Sequence, residues 1–126
     1  MIEKILSTPS YDASKVLLDV TLQKQGAIAS NIANVETPGF KRLELEKGFS
    51  KVFAQAVRAG NPADVARPLV VSDLNSPAQR KDGNNVVLQE ELLAMGKNTV
   101  EYDALSEFVS YSMRIARMAI TGRAQM

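Results

Sequence analysis

The 126-residue chain contains neither cysteine nor histidine. Their absence removes disulfides, thiolate nucleophiles, zinc sites of ordinary composition and the commonest general base. A chain without thiols is also indifferent to redox conditions, so its compartment is not fixed by that route. Excess charge is missing too: 15 basic and 14 acidic residues give a net charge of +1. That balance lacks the electrostatic footprint of a nucleic-acid binder or of an anionic-membrane protein. No apolar run approaches the roughly 20 residues of a membrane span, so no membrane insertion is expected. The opening stretch "MIEKILSTPSYDASKVLLDV" has no apolar core of signal-peptide length and no clear cleavage site. Passage out of the cytoplasm is therefore expected to proceed without a cleaved signal peptide.

A catalytic constellation is equally missing. Glu90-Glu91 and Glu101-Asp103 are carboxylate pairs, but adjacent and i,i+2 residues on a helix do not face each other, and solvated helix surface accounts for them. "RKDGNN", Arg80 to Asn85, lacks any phosphate-loop spacing. No enzyme activity, cofactor, metal or small-molecule substrate is expected.

What the chain does have is helical periodicity at both ends. With 45% apolar residues it forms one structural unit at most. Pro9 and Ser10 close a short leader, and Asp12 suits a helix N-cap. Ala13, Val16, Leu17, Val20, Ala27, Ile28, Ile32 and Val35 then fall at three- and four-residue steps, broken only at Gln23 and Lys24. This predicts a helix of about 24 residues, roughly 36 Å long. It must end before Thr37-Pro38-Gly39, where Pro38-Gly39 fits the centre of a type II turn.

The segment "ASNIANVETPGF" nevertheless puts Asn31 and Asn34 on one face just before that stop. Asn34 has an ordinary explanation as a cap tolerating left-handed backbone. Asn31 lies a full turn inside the helix, and a buried polar residue there suits a register-fixing role between helices. On that reading Asn31→Leu leaves expression and export intact but lets subunits pair in wrong registers, reducing motility.

The middle, residues 41–88, has a different texture. Phe49, Val52, Phe53, Ala56 and Val57 predict a short amphipathic helix ended by Gly60 and Pro62. "NPADVARPLVVSDLNSPAQRKDGNN" reads as extended chain and loop with a short strand at Leu69 to Val71. Val86 to Leu88 is a second strand candidate, able to pair back across the Asp82-Gly83 turn.

A second long helix is expected from Gln89 to about Thr121, stopped by Gly122, some 33 residues and ~50 Å. Leu105, Ser112 and Ala119 form one seven-residue series, which Asn98 extends, and Tyr102, Val109 and Ala116 form the other, widened by Phe108 and Ile115. Its acids come first and Arg114, Arg117 and Arg123 last, complementing the helix dipole. The fold class is therefore mainly α, with residues 1–40 and 89–126 supplying long terminal helices that pair as a coiled coil beside an irregular middle. Small residues at Ala27, Ser112, Ala116 and Ala119 let them approach closely. Residue patterns alone lead to a helical self-association or scaffold protein.

Two motifs carry a resemblance. "SNIANVETPGFK" resembles the signature of the axial proteins of the bacterial flagellum, and "DGNNVVLQEELLAMGKNTVEYDALSEFVSYSMRIARMAI" resembles the C-terminal region of the proximal rod family of the basal body. The resemblance implies a structural rod subunit that assembles with other axial proteins through its terminal helices and transmits torque for motility. It implies other rod subunits, the rod base near the membrane ring and the flagellar type III export apparatus as partners. It also implies a periplasm-spanning location. Asn31, Asn34, Thr37, Pro38 and Gly39 carry over as subunit-interaction residues from the first motif. Gly83, Asn84, Asn85, Val86, Glu90, Met95, Asn98 and Tyr102 carry over from the second, and the seam adds Leu105 and Val109. "FSKVF" is similar to an early export signal through Phe49 and Phe53, although a helix face explains the same pair. The alternative function is a soluble helical adaptor or chaperone of a type III secretion system.

Overall fold

Thr8, rather than Asp12, opens the first helix. In the computed structural model, which describes residues 8–77 and 80–122, α1 spans Pro9–Ala33. The Thr8 hydroxyl accepts the Tyr11 N–H at 3.3 Å, and Pro9 takes the first helical position, where a missing N–H costs nothing. Asp12 sits in the first turn, favoured by the dipole. Pro9 and Ser10 thus belong to the helix, and the leader proper lies outside the described residues.

The predicted stripe faces inward: Val16, Ala27 and Ile28 are buried, and Tyr11, Ser14 and Thr21 widen the buried face. The helix ends two residues before Val35. Asn34 is its C-cap at φ −105°, so its backbone is not left-handed. Its side chain instead donates to Ser30 O at 2.8 Å and accepts from the Thr37 hydroxyl at 3.0 Å. The type II turn forms as expected, with Phe40 N–H donating to Thr37 O at 3.2 Å and Gly39 at φ +73°.

After the turn the chain forms β1, Leu43–Leu45, then α2, Phe49–Ala59, and later β2, Val70–Ser72. The strands are antiparallel, with Leu43 opposite Ser72 and Leu45 opposite Val70. β2 begins one residue later than its apolar run suggested. β1 had no signal at all, since three residues are too few to show alternation. Val86 to Leu88 form no strand: the Val86 N–H is taken by the Asn84 side chain at 2.8 Å, and Leu88 already begins the last helix. α2 ends at Gly60 in left-handed backbone, as predicted.

The Pro-rich stretch is fastened to α1 rather than looped away from it. Pro62, Val65 and Pro68 are buried, Gln23 Nε2 donates to Pro68 O at 3.0 Å, and Arg67 pairs with Asp19 at 2.9 Å.

α3 spans Leu88–Thr121, 34 residues closed by Gly122, and runs antiparallel along α1. Glu91, Asn98 and Ala116 are its buried residues, with Tyr102, Leu105, Val109, Ser112 and Ile115 half-buried between them. Phe108 and Ala119 leave the seam and are exposed. A straight helix drifts ~20° per heptad from a strict seven-residue repeat, and Ala119 lies three heptads beyond Asn98. The core is thin: seven apolar residues are buried among the described residues, whereas fourteen large ones are exposed. At about 1.5–3 kcal/mol per fully buried side chain, such a core leaves much of the specification to polar contacts.

Candidate functional site

The polar contacts converge where α1 ends, β1 begins and α3 starts. Asn31 is completely buried. Its amide behaves like a one-residue strand: Nδ2 donates to Leu43 O at 2.9 Å and Oδ1 accepts the Leu43 N–H at 2.7 Å. The second Nδ2 proton goes to Glu91 Oε2 at 3.1 Å. Asn31 is therefore spent inside one chain, and a direct register contact to a neighbour is ruled out by its burial.

Glu91 is the second member. Only 1% of it is exposed, which corrects the solvated-surface reading of the Glu90-Glu91 pair; that reading holds for Glu90 alone, which is exposed. Arg42 Nε donates to Glu91 Oε1, and Arg42 Nη1 lies 3.4 Å from both Glu44 and Asp73. Burial by itself lowers the pKa of this guanidinium, but the hydrogen bond to Glu91 and the charges of Glu91, Glu44 and Asp73 outweigh it, so the net shift is upward. Arg42 stays charged at every biological pH.

Two further asparagines fasten the loops. Asn84 Nδ2 points at the carbonyls of the C-cap and turn that follow α1, donating to Asn34 O at 2.9 Å, Val35 O at 3.1 Å and Thr37 O at 2.9 Å. Asn85 Oδ1 accepts the Arg42 N–H at 2.6 Å, while its Nδ2 donates to Asp73 O at 2.9 Å and Ser76 O at 3.2 Å. Gly39 N–H donates to Asp82 O at 2.8 Å, and Lys41 Nζ donates to Gly83 O. The two motifs of the sequence thus form one junction, 47 residues apart in the Asn84–Thr37 bond.

Asn98 ties the seam one heptad further along, donating to Thr21 O at 2.9 Å and Gln25 Oε1 at 2.8 Å. The other motif residues differ in exposure. Thr37, Pro38, Gly39 and Glu90 are exposed, Gly83, Met95, Tyr102, Leu105 and Val109 are half-buried, and Val86 is buried beneath the junction. Phe49 and Phe53 stack at 5.5 Å on α2.

Sequence reasoning missed Glu91, Arg42 and Asp73. For Glu91 a signal existed, because the Leu105–Asn98 series continues to it one heptad earlier. Arg42 and Asp73 had none.

Chemically the Asn31, Arg42, Asn84, Asn85 and Glu91 groups satisfy one another rather than presenting a ligand set. Among the described residues no group of Asp and Glu could hold a metal, and no described helix is long and apolar enough to cross a membrane. What it can do is hold α1, β1 and α3 in one fixed arrangement and set the shape of the exposed turn at Thr37–Gly39.

Residues 19–41, which contain Asn31 and the turn, match the family described as flagella basal body rod protein. Three relatives, each named flagellar basal body rod protein FlgB, extend the similarity. That of Bacillus subtilis is 24% identical over 79% of this chain and 83% of its own length. That of Borreliella burgdorferi is 29% identical over 77% and 84%, and that of Borrelia hermsii 28% over 88% and 95%. With the signature turn and the Gly-Asn-Asn-Val block locked into one junction, the chain is similar over most of its length to the FlgB proteins of the flagellar basal body rod.

Proposed function

We propose that this subunit builds the proximal rod, joining other axial subunits through the outer faces of its terminal helices and carrying motor torque towards the hook. The observation that supports this most is the contrast between the junction and the helix exteriors. Polar groups at the junction are consumed internally, while Leu22, Leu93 and Val100 stand 55%, 60% and 70% exposed on the outer faces. Large apolar side chains open on both long helices suit surfaces that neighbouring subunits cover. The buried motif residues shape this surface; Thr37, Pro38, Gly39 and Glu90 are the members left to touch a neighbour.

Export proceeds through the flagellar type III apparatus with the N-terminus uncleaved, Phe49 and Phe53 supplying the export signal, and the rod base near the membrane ring is the first docking partner. The adaptor or chaperone alternative is not favoured by the family relationship.

Because the chain has no native thiol, single cysteines at Leu93 and Val100 give a clean test in isolated basal bodies. Crosslinks to rod subunits and an intact N-terminal peptide by mass spectrometry are expected. Adducts confined to cytoplasmic proteins, or a trimmed N-terminus, contradict the reading.

A further inference from the structure

A groove of about 450 Å³ opens between α1, β1, α2 and the first turns of α3. Its floor is apolar, with Leu17, Val20, Leu45 and Phe53 among its lining, and its rim carries Glu44, Glu46 and Glu101 against Lys24 and Arg42. Arg42 is already neutralised by Glu91, Glu44 and Asp73. The rim is therefore net acidic and the floor uncovered.

The complementary surface lies on the same helix. From Leu88 to Glu107 α3 carries five acids and one lysine; from Phe108 to Thr121 it carries Arg114 and Arg117 and no acid. Tyr111, Arg114, Arg117 and Met118 follow at helical spacing on one side, with Tyr111 55% exposed. Those arginines cannot serve the groove of their own chain, because Arg114 lies ~20 Å along the axis from Glu101 at 1.5 Å per residue.

Resting on the rod-subunit reading, we propose that the groove receives the C-terminal half of α3 from a second copy of this chain, with its arginines meeting Glu46 and Glu101 and its Tyr111 and Met118 covering the apolar floor. Groove and tail are different surfaces, so the contact is heterologous. Each added copy leaves one free groove and one free tail, and growth continues along an open helical path.

Sedimentation of the purified full-length chain across a concentration series tests this. The wild type self-associates with concentration. Glu101→Lys and Arg117→Glu, both at exposed positions, each weaken association at least about tenfold by setting like charges together, and the double variant recovers it. A mixture of Ser50→Cys and Met118→Cys chains yields the crossed disulfide. A wild type that stays monomeric, single variants without effect, a double variant that fails to recover, or disulfides only between two Met118→Cys chains each overturn the pairing. Motility separates the two readings: a monomeric chain that cells still require for rods removes the groove contact and leaves the rod assignment standing.

Discussion

At the scale of residues, one amide and one carboxylate hold the fold on a par with a buried aliphatic side chain. Replacing Asn31 by Leu orphans the Leu43 N–H and C=O and strips a donor from buried Glu91. Each unsatisfied group costs about 1–3 kcal/mol, so Asn31→Leu is expected to destabilise the isolated chain by about 2–4 kcal/mol in urea denaturation. A change under about 0.5 kcal/mol counts against the junction. The sequence alone leads instead to the expectation of intact expression and export with faulty pairing of subunits. Glu91→Gln leaves Arg42 facing a neutral amide; since 27% of the Arg42 side chain is still open to water, the ~3–5 kcal/mol of a broken buried pair is reduced to about 2–3 kcal/mol. The oddness of Asn31 was legible because a polar residue interrupted an apolar stripe. Its partners were not, because a backbone strand edge has no sequence signature and adjacency made Glu91 look like its solvated neighbour Glu90.

Elements differ in how firmly they are held. The long helices could be read to within a few residues, since many repeats reinforce one another. The three-residue strands and the Asn84 cap depend on contacts across more than 20 residues, which periodicity does not record. Two glycines separate these regimes. Gly83 has φ +86° and faces the Gly39 backbone, so Gly83→Ala is expected to cost about 1–2 kcal/mol through left-handed strain. Gly26 lies mid-helix with open space where a Cβ would be. There, Gly26→Ala should stabilise the chain by about 0.5–1 kcal/mol, and thermal melts of the two variants should move in opposite directions. α2 has no buried residue and is expected to exchange its amides fastest of the helices, α1 and α3 slowest. Equal protection in all three contradicts that ranking.

The molecule as a whole is a pair of unequal helices, 25 and 34 residues long, clamped at one end by the junction and carrying exposed apolar side chains among the charged ones outside. A thin core and exposed outer faces suit a part whose remaining stability comes from its neighbours. Binding to the native form alone raises the apparent stability with concentration, so the melting temperature should rise as the chain assembles. The rod-subunit account stands most directly on basal bodies isolated from a strain lacking this chain and imaged by electron microscopy. Rings without a rod, restored by the wild-type gene, are the predicted result; complete rods in the deletion strain contradict it.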